Sequence, residues 1–223
     1  MKKCGQSPSD YNRWRFTKAA DQGNAPAQYV LATCYEAGDG VAEDKNVAVQ
    51  WYHKAADQDY PDAEFNLGRC LHEGIGVKLD KAEALKWTEK AAKQGIVEAQ
   101  MMVGINYWLG IDVKMDEAKG VKWFQKAAEQ GEPGAFYYLG GAYYHGKGVK
   151  QDLVQSYKWG TLFMETDHSV ITNLDVLENT RGTLADLETK LTPKQLSKAK
   201  RLVKEANERL PIVAAQPTKT NAP

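Results

Sequence analysis

The chain repeats itself every 36 residues, and this period limits the possible fold more than any other feature of the sequence. An alanine pair that begins at Ala19-Ala20 returns at the next three steps, and an aspartate column from Asp44 and a glycine column from Gly38 keep the same period. The tryptophan column shows the period most simply, with Trp51, Trp87, Trp123 and Trp159. A unit of this length cannot bury its own apolar face, so at least three units must stack against one another.

Each repeat predicts two helices joined by a turn. Leu31 and Tyr35 are four residues apart on the first helix and lie in one apolar stripe. Gly74 follows the corresponding helix of the next repeat, where a residue with positive φ ends a helix at low cost. Asp80 then begins a second helix as its N-cap, and Glu83 is placed to complete a capping box.

These columns together resemble the Sel1-like repeat, a relative of the tetratricopeptide repeat with a longer loop between its helices. The second unit carries the pattern almost whole, in Ala63, Leu67, Gly68, Gly74, Gly76, Val77, Asp80, Ala84, Trp87, Ala91, Ala92, Gln94 and Gly95. The resemblance covers roughly residues 10 to 165. It implies an all-α fold, namely a right-handed α-solenoid of helix-turn-helix Sel1-like repeats with helical caps.

The domain organisation follows from where the period begins and ends. Thr192 is a predicted N-cap and Gln195 completes its capping box, so a helix begins there outside the repeats. The predicted order is a flexible N-terminus at 1–8, a cap helix or half repeat at 9–24, Sel1-like repeats at 25–60, 61–96, 97–132 and 133–166, a C-terminal helical cap at 167–210 and a disordered tail at 211–223.

The charge balance and hydropathy argue against two classes of partner. Lys+Arg and Asp+Glu are both 29, so no long-range field would attract nucleic acid. No apolar run approaches the roughly 18 residues that a membrane-spanning helix needs. We therefore predict neither a nucleic-acid partner nor a membrane span.

Catalytic and metal-binding patterns are absent from the sequence. The histidines are His53, His72, His145 and His168, and they form neither an H-E-x-x-H motif nor a close pair. No G-x-S-x-G elbow or P-loop occurs, and the Gly-x-Gly turns follow predicted helices instead of strands. The sequence thus predicts no enzyme, no catalytic residue, no metal site and no cofactor.

The three cysteines lead to two different expectations. Cys34 and Cys70 occupy one column in successive repeats, about 9 or 10 Å apart on stacked helices, so we expect free thiols. Cys4 begins a short polar segment like that of a mature bacterial lipoprotein, where this residue carries the lipid anchor. Only Met1-Lys2-Lys3 precede it, too few for an apolar leader. The compartment therefore stays open between the cytoplasm, for the chain as written, and the periplasm or outer membrane, for a chain that has lost its leader.

The candidate binding residues lie on the first helix of each repeat, which lines the concave face of helical solenoids. Positions off the apolar stripe change from mixed polar to aromatic and apolar toward the C-terminal half. The predicted partner-binding residues are Asn66, Arg69, His72, Met102, Ile105, Trp108, Tyr138, Tyr144 and His145. Aromatic and Met side chains are common binding anchors, although the same residues could pack against the next repeat or be covered by the C-terminal helices.

The resemblance implies a protein-binding scaffold or adaptor of bacterial origin without chemistry of its own. Sel1-like proteins act in bacterial signalling, envelope assembly and host interaction, and some are immunity proteins that block secreted effectors. An envelope-anchored inhibitor is therefore an alternative. A second alternative is a module that binds cell-wall fragments or other small ligands, with His72, Trp108, Tyr138 and His145 as its pocket. A closed cavity would favour this last alternative over an open groove.

Overall fold

The computed structural model describes residues 16–166 and 174–210, and its regular elements there are all α-helices. Residues 16–21 form α1. The other helices are α2 (Ala25–Ala37), α3 (Lys45–Ala56), α4 (Pro61–Glu73), α5 (Lys81–Lys93), α6 (Val97–Leu109), α7 (Glu117–Glu129), α8 (Pro133–His145), α9 (Leu153–Glu165), α10 (Leu174–Lys190) and α11 (Pro193–Arg209). The predicted all-α fold of paired helices is confirmed.

The chain divides into two compact units, Met1–Val103 and Gly104–Pro223, with the boundary inside α6. In the first unit α2 packs on α3, α3 on α4 and α4 on α5. In the second unit α7 packs on α8, α8 on α9, and both α10 and α11 on α9. The residues predicted as a flexible N-terminus (1–8), the first part of the predicted cap helix (9–15) and the predicted tail (211–223) lie outside the described residues.

The aspartate column begins the second helix of every repeat. Asp44, Asp80, Asp116 and Asp152 each accept hydrogen bonds from backbone N–H groups of the first turn of α3, α5, α7 and α9. The Glu83 carboxylate pairs with Lys86 Nζ at 2.9 Å, so at α5 only the aspartate half of the predicted capping box forms. At α11 the predicted box of Thr192 and Gln195 is complete.

The loop between the two helices of a repeat depends on glycine. Gly38, Gly74 and Gly146 end α2, α4 and α8 in the left-handed region. Gly76 has a φ of 63°, and a Cβ there would lie 2.2 Å from the carbonyl oxygen of Lys45 at the start of α3. The turn of one repeat therefore sits directly on the preceding repeat, where no side chain fits.

Buried polar groups connect the two helices of each repeat in the first unit. Gln58 Nε2 donates to Gln28 Oε1 at 2.7 Å, and one repeat later Gln94 Nε2 donates to Glu64 Oε2 at the same distance. Glu64 is fully buried and also pairs with Lys90 Nζ at 3.2 Å. These bonds satisfy side chains that would otherwise be costly to bury between helices.

Candidate partner-binding cavity

The second unit contains a cavity of about 430 Å³ between α8, α9 and α10, beside Trp108 near the end of α6. Helix α8 contributes Tyr137, Tyr138, Gly140, Gly141, Tyr144 and His145 to its lining. Helix α9 contributes Ser156 and Gly160, α10 contributes Asn179, Thr180, Thr183 and Leu184, and the loop after α8 contributes Lys147. Four of the predicted binding residues, Trp108, Tyr138, Tyr144 and His145, therefore meet in one place.

One wall of the cavity is an aromatic cluster that rests on the core. The Tyr138 ring stacks on Phe124 with a centroid distance of 4.5 Å, and Phe124 is fully buried. Trp108 meets Phe124 and Tyr138 edge-on at 6.0 and 6.4 Å. Burial raises the pKa of the Tyr138 phenol, which keeps it neutral at physiological pH. Trp108 and Tyr138 thus combine a core contact with a place in the cavity wall.

The opposite wall is α10, which polar contacts hold against α8. Tyr144 Oη donates to Asp186 Oδ2 at 2.5 Å and accepts from Lys190 Nζ at 3.1 Å. Lys190 also pairs with Asp186 at 2.7 Å. Leu187 on the same helix is fully buried in a cluster with Tyr157. The aromatic lining of the fourth repeat is therefore partly covered by a C-terminal helix, and what stays open is a walled cavity.

Gly141 lines the cavity and leaves open space where a side chain would be. A Cβ at Gly141 would meet no heavy atom within 4 Å, although the residue is in the middle of α8. The glycines of the neighbouring column differ, because a Cβ at Gly68 would lie 2.5 Å from Thr88 Oγ1 and one at Gly104 2.6 Å from the Phe124 ring. A glycine inside a helix costs about 0.5–1 kcal/mol relative to alanine. No packing contact explains that cost at Gly141, and the space is left to the cavity.

The sequence reasoning did not select Gly141 or the α10 residues as site residues. The signal for Gly141 was present, since the same position of the repeat holds Thr33, Arg69 and Ile105 in the other repeats. A change from a side chain to glycine, at a position that faces the predicted groove, indicates that the groove is wider at this repeat. The residues of α10 have no equivalent positions in other repeats to compare with, because that helix follows the last repeat.

The other predicted residues have different surroundings. Asn66, Arg69, His72 and Met102 belong to the first unit, and Ile105 is half-buried on α6 without lining the cavity. Arg69 pairs with Glu36, whose other carboxylate oxygen accepts from Tyr52 Oη at 2.6 Å. Burial alone would raise the pKa of Glu36, but the hydrogen bonds from Tyr52 and Arg69 outweigh it and lower that pKa. Arg69 therefore forms an ion pair that links two successive repeats.

The thiols are placed for packing instead of reaction. Cys34 and Cys70 are both free, and Cys70 is buried. Burial raises the pKa of Cys70 to about 11, which keeps the thiol protonated at neutral pH. Cys4, the predicted lipidation site, lies outside the described residues, as does His168.

Two further searches of the described residues concern metals and membranes. Within 16–166 and 174–210 no group of three or more His, Cys, Asp and Glu side chains is arranged to hold a metal ion. None of the helices in these ranges has the length and the apolar character that a membrane crossing requires.

Helix pairs with a 36-residue period, packed on one another within each unit, define an α-solenoid repeat protein. The sequence profile of the Sel1 repeat matches residues 16–24, 25–60, 61–96, 97–132 and 135–162. The chain therefore belongs to the Sel1 repeat family.

Two solved structures of this fold resemble the chain. A protective antigen of uropathogenic Escherichia coli that displays an SLR fold is 34% identical over 92% of this chain and 42% of its own, with a TM-score of 0.71. A Sel1 repeat protein from Oxalobacter formigenes is 35% identical over 76% of this chain and 48% of its own, with a TM-score of 0.68. The chain thus spans less than half the length of either relative.

More distant comparisons add no functional argument. An immunity protein from Pseudomonas aeruginosa aligns with 99% of this chain and 83% of its own, but at 19% identity and a TM-score of 0.46. No curated protein matches the sequence.

Proposed function

We propose that this protein is a non-catalytic interaction scaffold whose second unit binds a segment of a partner protein, with an apolar side chain of the partner in the cavity beside Gly141. The observation that carries the proposal is the open space at Gly141 between an aromatic wall and α10. Aromatic side chains that are fixed by a core are frequent anchors of protein interfaces, because little side-chain entropy is lost on binding.

The polar groups of the cavity support binding more than chemistry. Ser156 is buried and its hydroxyl donates to the carbonyl oxygen of Gly140 at 2.9 Å, so it is held within the helix pair. Tyr138 stays neutral because burial raises its pKa. No base lies in hydrogen-bond contact with the Ser156 hydroxyl in the part of the chain described here, as an activated nucleophile would require.

A small-ligand module is the second candidate, and the α10 wall favours it. The volume of about 430 Å³ falls within the range of roughly 300–1,000 Å³ that is common for ligand pockets. Trp108, Tyr138 and His145 of the predicted ligand pocket line the cavity, whereas His72 belongs to the other unit.

A cavity-filling substitution tests the proposal better than a truncation does. Tyr138→Ala would remove the ring that stacks on Phe124 and would lower stability together with binding. Gly141→Leu instead places a side chain in open space and removes a helical glycine, so the folded state should be kept. Gly182→Leu is the matched control, because Gly182 is also helical and has open space at its Cβ but does not line the cavity.

The experiment uses the full chain as bait for a displayed library of random peptides, followed by affinity measurements on the enriched peptides. We expect Gly141→Leu to weaken binding by at least about tenfold and Gly182→Leu to leave it within about twofold. Equal binding by the parent chain and Gly141→Leu would exclude the cavity as the binding site. If no peptide is enriched, but a small molecule from a cell extract binds the parent chain and not Gly141→Leu, the ligand-binding candidate is correct.

A further inference from the structure

We infer that the segment bound in this cavity is an extended peptide that carries a carboxylate next to its apolar anchor. This inference rests on the proposed function and adds the chemistry of the partner. It follows from the charges of the cavity lining and from the polar groups of α10.

The lining of the cavity contains one lysine, one histidine and no carboxylate. Lys147 and His145 are its ionisable side chains apart from the tyrosines, and both are exposed at the opening. In the described part of the chain Lys147 forms no ion pair, whereas Lys190 nearby is already paired with Asp186. A bound carboxylate would therefore gain an unmatched cation at the opening, and an acidic partner segment is electrostatically complementary to it.

The α10 wall indicates an extended backbone instead of a helix. The hydroxyls of Thr180 and Thr183 are used within α10, since they donate to the carbonyl oxygens of Val176 and Asn179. The side-chain amide of Asn179 is exposed on the same wall and makes no hydrogen bond among the described residues. An amide can donate to and accept from one peptide unit. An extended segment has unpaired backbone groups to offer, whereas the backbone of a helix has satisfied its own.

The test starts from peptides that the full chain enriches from the random library. Two synthetic versions of an enriched peptide are compared, one with its Asp or Glu and one with the matching Asn or Gln. Each is measured against the parent chain, Lys147→Gln, Asn179→Ala and the control Lys150→Gln, which changes an exposed lysine outside the lining. A third peptide carries an N-methyl group on the backbone beside the anchor.

We expect enriched peptides with an acidic residue within two positions of an aromatic or large apolar residue. Lys147→Gln should weaken the acidic peptide on the order of fivefold and leave the amide peptide unchanged, with no effect of Lys150→Gln. Asn179→Ala and backbone methylation should each weaken binding, and their effects should not add, because both remove the same contact.

The inference is overturned if enriched peptides show no acidic preference, or if Lys147→Gln weakens both peptides equally. Binding that is lost in Gly141→Leu but insensitive to Lys147→Gln and Asn179→Ala would keep the proposed function and reject this partner chemistry. Binding that is unchanged in Gly141→Leu would reject the proposed function itself.

Discussion

At the scale of single residues, the Glu36 carboxylate shows how one side chain holds two repeats together. It lies at the end of α2 and accepts from Tyr52 of α3 and from Arg69 of α4. The sequence singled out Arg69 because of its position on the predicted groove, and it predicted a contact with a partner instead of an ion pair within the protein. The ion pair could not be foreseen, because it joins residues 33 positions apart whose side-chain directions depend on how the two repeats stack.

The first prediction concerns the acid stability that this network contributes. The pKa of Glu36 is lowered in the folded state, so its contribution is present above the unfolded pKa of about 4.3 and is lost as the pH falls through the folded pKa. Glu36→Gln should therefore lower the free energy of unfolding by about 1–2 kcal/mol at pH 7, with a difference that shrinks below pH ~4.

Urea unfolding at pH 7, 5, 4 and 3 measures this difference. Glu98→Gln is the control, since Glu98 is exposed on α6. A Glu36→Gln difference that stays constant from pH 7 to pH 3 would contradict the proposed role of the carboxylate.

At the scale of elements, helix ends and turns were the features most readily predicted. The Asp N-caps and the Gly-containing turns depend on backbone conformation within a few residues, and the 36-residue period repeats that local information several times. The reciprocal contact of Glu83 was predicted and is not formed, because the backbone N–H of Asp80 donates to the carbonyl oxygen of Leu71 at 2.9 Å and the Glu83 carboxylate pairs with Lys86. The local pattern around Asp80 does not show that a carbonyl of the preceding helix takes this N–H group.

The second prediction concerns the turn of the second repeat. Gly76→Ala should destabilise the protein by about 3 kcal/mol or more, because strain at positive φ adds to a clash with the Lys45 carbonyl. Gly23→Ala should cost only about 1 kcal/mol, since its φ is 87° but no atom lies within 4 Å of the added Cβ. Thermal and urea unfolding compare the two variants, and equal losses would show that backbone strain alone sets the cost.

The third prediction concerns the N-cap of α5. Asp80→Ala removes the acceptor for the N–H of Glu83 and should cost about 1 kcal/mol. Asp80→Asn keeps an acceptor of the same shape and should cost less than half of that loss. The measurement is the free energy of unfolding of both variants. If Asp80→Asn loses as much stability as Asp80→Ala, the negative charge near the helix dipole matters more than the hydrogen bond.

At the scale of the whole molecule, the sequence predicted the class of fold and the existence of a C-terminal helical cap. It did not predict that α10 would form a cavity wall. Residues within the period can be compared between repeats, so a missing side chain such as that of Gly141 stands out. Residues after the period have no such comparison, and the face that α10 turns toward α8 depends on long-range contacts such as Tyr144 with Asp186.

The fourth prediction concerns the anchoring of α10. Leu187→Ala should lower the free energy of unfolding by about 2–4 kcal/mol, because a fully buried side chain is lost from the cluster between α9, α10 and α11. Hydrogen exchange should increase most in α10, and the affinity for an enriched peptide should fall with it. Ala185→Ser, at an exposed position of the same helix, is the control. Unchanged peptide affinity in a Leu187→Ala chain with a loosened α10 would show that this helix is not part of the binding site.

Substitution of Gly141 alone would change the size of the partner side chain that the cavity accepts. Since a Cβ at that position meets no neighbouring atom within 4 Å, alanine fits without a contact, and valine and leucine should reduce the free volume further in steps. Selectivity for partners could thus diverge between related chains by single substitutions that leave the repeat architecture unchanged. For engineering, a saturation library at this position would yield a graded series of interaction modules on one scaffold.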